Sequence, residues 1–422
     1  MKKVTFFLFL SLTASVLEAK DWPQWRGPDR TGISSETGII KNWKDSPPKL
    51  LWKVKGSGKG YSSVSIANGV LYTTGNFEGD QTGQGVSAFS LKDGKLLWQT
   101  AVTDFVPKHG YQGARSAPTV DGDHLYITTS NGVIACLNTS GKLVWSKEFK
   151  KEWKGKMMSG WGYSESPLVD GDRVVCTPGG SNAFMVSLDK KSGATKWKTK
   201  VDPEKLGKKG KDGAGYSSIV ISNGVGVKQY VQMTGRGVMG VRAKDGKFLW
   251  NYNQVANSTA NIPTPVVVGD HIFCSTGYGT GSALLKLKSE GSGVVAEEVY
   301  FLKPKVLQNH HGGMVLVDGH IYCGHKHNGG DPICIEVKTG KVKWGPVKGV
   351  GNGSGCVTYV DGHLIYRYQS GHVALVKATP EKYELKGSFM PAHQEDKSWA
   401  HPVVVDGKLY LREQDQIMCY QL

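Results

Sequence analysis

Short runs of alternating apolar and polar residues repeat along this chain, and a turn separates each run from the next. The stretch from Arg115 to Trp145 shows the pattern most clearly. Its predicted strands are Ala117–Val120, His124–Thr129, Val133–Asn138 and Lys142–Trp145, joined by turns at Asp121-Gly122, Asn131-Gly132 and Ser140-Gly141. Asn-Gly and Asp-Gly between alternating apolar residues are the strongest short-range hairpin signal, because tight hairpin turns need positive φ. The stretch therefore predicts a four-stranded antiparallel meander, which needs neighbouring structure to be stable in water.

The neighbours are further copies of the same meander. The turn between the first and second strands recurs eight times at intervals of roughly 43 to 53 residues, the spacing expected of propeller blades. It lies at Asn68-Gly69, Asp121-Gly122, Asp170-Gly171, Asn223-Gly224, Gly269-Asp270, Asp318-Gly319, Asp361-Gly362 and Asp406-Gly407. A second Gly-containing turn precedes the fourth strand, and a Trp follows it at Trp98, Trp145, Trp197, Trp250 and Trp344. The fifth and seventh copies depart from this second pattern. The repeat predicts an all-β, eight-bladed propeller of four-stranded antiparallel blades, with the Trp side chains packed between blades.

The two ends of the chain are expected to complete one blade together. The last copy, Trp399 to Leu422, contains only three predicted strands, and Leu50–Val54 is a single strand without partners near the other end. We expect this N-terminal strand to complete the last blade and close the ring, because closure removes open sheet edges. The propeller then spans residues 50–422, and residues 20–49 form an irregular segment packed on the ring.

Residues 1–19 have the features of a secretory signal peptide: a basic start at Met1–Lys3, an apolar run from Val4 to Leu17, and a small residue at Ala19. We therefore expect an exported protein, periplasmic or secreted. The run is too short to cross a bilayer comfortably, and no later stretch is apolar enough to do so. We accordingly predict no transmembrane segment and expect a monomer.

The formal net charge is +16, and much of the lysine excess lies in residues 147–156 and 196–211. A basic surface favours polyanions such as anionic lipid headgroups, cell-wall polymers or acidic polysaccharide. The alternative is a solvated surface that only keeps the protein soluble. No recognition motif accompanies the charge, so we predict no nucleic-acid partner.

Two interpretations of the seven cysteines are open at this point. Cys176, Cys274 and Cys323 fall at equivalent positions of second strands, which indicates small buried hydrophobic residues. Alternatively, Cys323 and Cys334 face one another across a hairpin and form one disulfide in an oxidising compartment.

The recurring x-L-x-x-x-[T/S/D]-G-K-x-x-W signature resembles the quinoprotein-type (PQQ-like) repeat of eight-bladed β-propellers. The stretches WGYSESPLVDGD (161–172) and NHHGGMVLVDG (309–319) are similar to those of secreted PQQ-like propeller proteins. The resemblance covers nearly all of the chain after the signal peptide. Related proteins include the propeller lipoprotein of the outer-membrane β-barrel assembly machinery, which is not an enzyme, and the quinoprotein alcohol dehydrogenases. Fold alone does not carry either function over.

Side chains that enter the first strand of each blade should converge on the central axis. In the enzymes that the chain resembles, a quinone lies there, stacked on a Trp and held by Arg, Asn and Glu. The resemblance implies that Arg115, Trp161, Glu165 and Asn261 hold such a cofactor. Convergence on the axis adds His311 and His401 to the predicted cofactor-binding set. The alternative is a polar network that holds only water, in which Arg115 and Glu165 form a salt bridge.

The sixth blade concentrates histidine. His310 enters its first strand, while His325, His327 and Asp331 lie in the loop between its second and third strands. Imidazole with carboxylate suits Zn²⁺, Cu²⁺ or Fe²⁺, so these residues are a candidate metal site. Structural hydrogen bonding by the same histidines is the alternative.

The topology places the second-to-third-strand loops and the blade-to-blade connections on one side of the ring, here called the loop face. These loops are variable and Gly-rich, and function concentrates in such loops on rigid scaffolds. Cys-x-x-Cys-His and adjacent cysteines are both absent, which argues against a standard quinoprotein dehydrogenase. We expect an exported, non-catalytic scaffold without an obligatory cofactor, which binds a partner protein or anionic envelope polymer on the loop face. The alternatives are a dehydrogenase of alcohols or sugars that uses PQQ with Ca²⁺, and a metal-dependent carbohydrate-active enzyme.

Overall fold

The computed structural model describes residues 21–422, and the predicted signal peptide lies outside the described residues. Eight four-stranded sheets are arranged as successive blades around one axis. In the first seven blades the strands follow one another in sequence, each antiparallel to the next. The prediction of an all-β, eight-bladed propeller is therefore confirmed.

The strands of the first four blades run outward from the axis in chain order. Blade one contains β2 (Ser65–Ala67), β3 (Val70–Phe77), β4 (Gly83–Ser90) and β5 (Leu96–Ala101). Blade two contains β6 (Thr119–Asp121), β7 (His124–Thr128), β8 (Val133–Asn138) and β9 (Leu143–Glu148). Blade three contains β10 (Leu168–Asp170), β11 (Arg173–Cys176), β12 (Val186–Asp189) and β13 (Thr195–Lys198). Blade four contains β14 (Val220–Ser222), β15 (Gln229–Thr234), β16 (Gly237–Arg242) and β17 (Phe248–Tyr252).

The remaining blades repeat the arrangement. Blade five contains β18 (Val266–Val268), β19 (His271–Thr276), β20 (Gly281–Glu290) and β21 (Gly293–Leu302). Blade six contains β22 (Val315–Val317), β23 (His320–His325), β24 (Asp331–Glu336) and β25 (Val342–Trp344). Blade seven contains β26 (Gly355–Val360), β27 (His363–Tyr368), β28 (Val373–Lys377) and β29 (Leu385–Phe389). Blade eight contains β30 (Val403–Val405), β31 (Lys408–Glu413), β32 (Gln416–Gln421) and β1 (Lys49–Lys55). The only helical segments among the described residues are α1 (Phe149–Trp153) and three 3₁₀ turns at Gly79–Gln81, Pro203–Leu206 and Gly224–Gly226.

The ring is closed by strands from both ends of the chain. β1 pairs antiparallel with β32, in a register from Lys49 opposite Gln421 to Lys55 opposite Gln416. The outermost strand of blade eight therefore comes from the N-terminal side, as the sequence predicted. None of the described helices has the length and apolar character that crossing a membrane requires.

The core lies between the blades. Eight hydrophobic clusters each combine side chains from two neighbouring blades, one cluster at every boundary of the ring. The repeated Trp sits at these boundaries. The Trp145 indole lies over Gly193 in the β12–β13 turn of the next blade and donates Nε1–H to the carbonyl of Lys190 at 3.1 Å. In blade five Tyr300 replaces the Trp and donates its hydroxyl to the carbonyl of Val337 at 2.7 Å.

All seven cysteines are buried and free. In the β23–β24 register Cys323 lies opposite Ile333, and Cys334 lies opposite Tyr322. Successive residues of a strand point to opposite faces, so the two cysteines enter different inter-blade cores. The alternative of a Cys323–Cys334 disulfide was therefore wrong, and the buried-hydrophobe interpretation holds.

Residues 21–43, here called the plug, cross the central channel on the side opposite the loop face. Backbone bridges join Trp22 to Ile66 in blade one and Ile33 to Tyr359 in blade seven. The Ser34 hydroxyl donates to the carbonyl of Val404 in blade eight at 3.2 Å. The segment thus ties down the chain end and closes one mouth of the channel.

Candidate functional site: an aromatic cavity on the central axis

The site is a cavity of about 480 Å³ on the axis of the ring, open toward the loop face. Three kinds of segment build it: the connections that enter first strands, the second-to-third-strand loops, and the plug. Its wall comprises Trp25, Tyr61, Ser63, Tyr111, Arg115, Trp161, Ser164, Tyr216, Ser218, Ala260, Ile262, Pro263, Thr264, Tyr278, His310, His311, Gly312, His327, Asn328, Gln369, Lys397, Trp399 and His401.

The plug forms the floor of the cavity. The Trp25 ring lies 5.7 Å from the His401 ring, measured between centroids. Arg30 donates to the carbonyls of Ser166 at 3.1 Å and Ile219 at 2.9 Å, and Arg26 donates to the carbonyl of Met314 at 2.5 Å. These bonds fix the plug to the inner ends of three different blades. Burial lowers the pKa of both guanidinium groups to about 10, so both stay charged at neutral pH.

Arg115 is the cation in the cavity wall. Its Nη2 donates to the carbonyls of Gly110 at 2.9 Å and Tyr111 at 2.6 Å, and the guanidinium lies 5.3 Å from the centre of the Tyr61 ring. Burial lowers the pKa of Arg115 to about 10, and the group remains protonated at neutral pH. Its Nε is buried without a hydrogen-bond partner among the described residues. No carboxylate in residues 21–422 forms a salt bridge with it.

Two of the predicted cofactor-binding residues point elsewhere. The Glu165 carboxylate is buried and accepts the backbone N–H of Thr177 at 2.8 Å, and burial raises its pKa to about 8. The Asn261 amide donates to the carbonyls of Thr234 at 2.8 Å and Gly235 at 3.2 Å. Neither side chain is part of the cavity wall, and the Arg115–Glu165 salt bridge does not form. The other four predicted residues, Arg115, Trp161, His311 and His401, all line the cavity.

The predicted metal-ligand residues fall into two separate places. The His310 ring lies 4.1 Å from the His327 ring and 3.9 Å from the His311 ring, measured between centroids, and all three line the cavity. His325 and Asp331 face each other at the β23–β24 turn instead, where Asp331 pairs with Lys326 Nζ at 2.8 Å. No group of three or more His, Cys, Asp or Glu within residues 21–422 is arranged to hold a metal ion.

The cavity histidines are neutral, and hydrogen bonds hold the His310 ring at both nitrogens. Nδ1 of His311, His327 and His401 is buried without a hydrogen-bond partner among the described residues. His310 Nδ1 lies 2.8 Å from the Ser354 hydroxyl, and His310 Nε2 lies 3.1 Å from the Tyr278 hydroxyl. Burial lowers the pKa of His310 and of His401 to about 3, and the pKa of His311 well below its usual value. The imidazoles therefore contribute polar contacts and no charge at neutral pH.

Part of the aromatic wall follows from the sequence, because Tyr61 and Trp399 enter first strands, whose side chains are expected to converge on the axis. The two residues form one cluster with Tyr111, which the sequence did not indicate; the Trp399 ring lies 4.8 Å from Tyr61 and 5.1 Å from Tyr111 between centroids. Tyr278 stands in the Gly-rich loop between β19 and β20, and an aromatic residue inside such a loop was the available signal. Trp25 comes from a segment without strand periodicity, and nothing in its sequence context indicated the cavity floor.

The described residues of the wall include two cations, Arg115 and Lys397, and no carboxylate. Aromatic walls with a few placed polar groups are typical of ligand-binding pockets, and the volume is in the usual range. The positive charge favours a ligand that carries a negative group. A carboxylate that could serve as a general base or as a Ca²⁺ ligand is missing from this wall.

Residues 82–345 match the family model described as outer membrane protein assembly factor BamB. The chain belongs to the BamB family. Two kinds of protein with solved structures are similar to it in fold. BamB from Moraxella catarrhalis is 14% identical with a TM-score of 0.60, over 89% of this chain and 98% of that chain. A quinohemoprotein alcohol dehydrogenase from Comamonas testosteroni is 13% identical with a TM-score of 0.65, over 95% of this chain and 80% of that chain.

A second quinohemoprotein alcohol dehydrogenase, from Pseudomonas putida HK5, is 15% identical with a TM-score of 0.64, over 96% of this chain and 80% of that chain. At these identities the likeness shows the fold alone. A comparison with curated protein sequences finds no match. This BamB-family chain thus shares its propeller fold with quinohemoprotein alcohol dehydrogenases as well as with BamB, and any inference about its function has to come from the residues of its own cavity.

Proposed function

We propose that this BamB-family propeller is an exported, non-catalytic scaffold that binds a partner protein or an anionic envelope polymer on its loop face. One observation carries the proposal: the cavity at the centre of that face is aromatic and cationic, and no carboxylate lines it among the described residues. Such a wall suits an anionic group, but it provides no carboxylate that could act as a general base or as a metal ligand. Export is proposed from the character of residues 1–19.

The competing function is a dehydrogenase that uses PQQ with Ca²⁺. Ca²⁺ takes six to eight oxygen ligands, among which carboxylates are prominent. Glu165 and Asn261, the residues that the resemblance assigns beside such a cofactor, are committed to Thr177 and to backbone carbonyls outside the cavity. Arg115 and Trp161 alone do not make a quinone–calcium site. The residues present therefore do not fit the group, and we derive no oxidation step.

Binding to the cell envelope tests the scaffold function directly. Purified mature protein should co-sediment with isolated envelopes of its own organism, and double substitution Arg115→Gln with Lys397→Gln should reduce the retained fraction. Lys53→Gln is the matched control, since it removes one exposed positive charge on β1, away from the cavity. Protease treatment of the envelopes separates a protein partner from a polymer.

Two results would overturn the proposal. One is that the envelopes retain no protein. The other is that the protein, mixed with PQQ and Ca²⁺, reduces an electron-acceptor dye when an alcohol or sugar is added.

A further inference from the structure

We infer that the ligand of the cavity is an acidic saccharide, with a uronate carboxylate held by Arg115 and the sugar ring packed in the aromatic cup. This inference rests on the proposed function, because it names the class of anionic polymer that the loop face would bind. Four features of the cavity carry it: unused donors on Arg115, tilted aromatic rings, unpaired polar groups at the rim, and a single mouth.

The Arg115 guanidinium is positioned but not neutralised. Both of its hydrogen bonds go from Nη2 to the neutral carbonyls of Gly110 and Tyr111. Within the described part of the chain, Nη1 and Nε make no hydrogen bond, and Nε is buried. A guanidinium pairs best with a carboxylate, through two parallel N–H···O bonds. An unpaired, half-buried Arg in a wall without carboxylates therefore calls for an anion supplied by the ligand.

The aromatic rings form a cup and not a slot. Trp399 meets Tyr61 at 40° and Tyr111 at 71°, and Trp161 meets Tyr216 at 62°. A flat aromatic anion stacks best between parallel ring faces, whereas the puckered ring of a sugar presents C–H groups in several directions. Rings tilted against one another match the sugar.

The rim adds hydrogen-bonding groups suited to hydroxyls. The Ser164 hydroxyl has no partner within residues 21–422. Gln369 uses Oε1 to accept Trp399 Nε1–H at 2.8 Å, which leaves its amide N–H groups for a ligand. At the same mouth Asn328 Nδ2 hydrogen-bonds to His327 Nε2 at 3.1 Å, and His327 Nδ1 has no partner among the described residues. A ligand with several hydroxyls pairs with these groups, while a simple carboxylic acid leaves them unmatched.

The plug closes the cavity at its floor, so a polymer cannot thread the ring. With about 480 Å³ available, the cavity takes the end of a chain or a short oligomer from the loop face. The lysine-rich segments 147–156 and 196–211 begin in blades two and three, and they add positive potential that attracts an anionic polymer.

Calorimetric titration with a short oligogalacturonate, using its fully methyl-esterified form as the neutral counterpart, tests the inference. We expect the acid to bind about 10- to 100-fold more tightly than the ester, the range of a hydrogen-bonded charge. Arg115→Gln should remove that preference while leaving the weak binding of the ester, and Arg115→Lys should restore part of it. Lys53→Gln should match the wild type. Melting temperatures of all variants, and quenching of Trp fluorescence by the ligand, separate a binding loss from misfolding.

Equal affinity for acid and ester, or an undiminished preference in a folded Arg115→Gln variant, would overturn the inference. Inorganic sulfate competing as strongly as the oligogalacturonate would also overturn it, because the site would then recognise charge without a sugar. Envelope co-sedimentation distinguishes failure of the scaffold function from failure of the saccharide assignment. If the envelopes retain the protein and excess oligogalacturonate does not release it, the scaffold function stands and the saccharide assignment falls. If oligogalacturonate binds but the envelopes do not retain the protein, the saccharide assignment stands and the scaffold function falls.

Discussion

Two glycines of blade three allow the packing of the repeated Trp to be measured without removing it. Gly193 lies in the β12–β13 turn under the Trp145 indole, with φ +71°. Gly171 lies in the β10–β11 turn, with φ +61°, and a Cβ placed there would meet no atom within 4 Å. Alanine at either position has the same backbone penalty of about 1–2 kcal/mol for the left-handed region. Only Gly193→Ala also disturbs a side chain.

The extra cost at Gly193 follows from the geometry. An added Cβ would lie 2.8 Å from Cδ2 and 2.9 Å from Cε3 of Trp145, closer than the 3.4 Å at which ordinary contact begins. The indole has to retreat by about half an ångström, but its Nε1–H bond to Lys190 at 3.1 Å and its contact with Tyr126 hold it. Overpacking of this kind costs about 1–3 kcal/mol. We therefore expect Gly193→Ala to lose about 2–5 kcal/mol and Gly171→Ala about 1–2 kcal/mol.

Guanidinium unfolding curves of the two variants, followed by circular dichroism, measure the difference. A double-mutant cycle isolates its cause, since in a Trp145→Ala background Gly193→Ala should cost no more than Gly171→Ala. Equal losses for the two glycine variants in the wild-type background would refute the reasoning. Trp145 would then not pack tightly against the turn of the next blade, and the glycine of that turn would be required only for its backbone conformation.

Two further predictions concern ring closure and a buried acid. Deleting residues 50–54 removes the strand that covers β32 and takes away Trp52, so we expect aggregation or a large fall in melting temperature; an unchanged melting temperature would exclude this closure. Burial raises the pKa of Glu165 to about 8, so its stabilising effect is complete below its unfolded pKa and is lost as the pH rises through about 8. Glu165→Gln cannot ionise, so its melting temperature relative to wild type should rise between about pH 5 and about pH 9; a constant difference would contradict the raised pKa.

The sequence predicted the ring because its signals are local and repeated. Each Asp-Gly or Asn-Gly turn fixes one hairpin, eight hairpins fix the number of blades, and the three-stranded last copy requires a strand from elsewhere. The same locality explains why the sequence left a Cys323–Cys334 disulfide open as an alternative. Their positions identify paired strands, but a one-residue offset in register decides which face each side chain takes.

The cavity was harder to predict, because the position of a residue in the repeat does not determine the direction in which its side chain points. Arg115 and Glu165 both stand just before a first strand, yet Arg115 lines the cavity while Glu165 turns toward Thr177. What separates them is the local backbone path and the polar partners available behind each strand, which only the assembled ring provides. Trp25 shows the limit most clearly, since its place on the floor depends on contacts between the plug and distant blades.

The plug does more than close one mouth of the channel, because its arginines also contribute to the electrostatics of the cavity. Arg26 and Arg30 are buried and charged, and their N–H groups donate to uncharged oxygens, mostly backbone carbonyls, and to no carboxylate among the described residues. Carbonyl dipoles leave the net positive charge in place beneath the floor. The charge of Arg26 is one cause of the low pKa of His401, after burial itself. Together with Arg115, this positive charge makes binding of a cationic ligand costly and binding of an anionic ligand favourable. The arginines of the plug and Arg115 of the wall thus favour the same class of ligand, an anionic one. Beside these positive charges the cavity histidines stay neutral when no anion is bound.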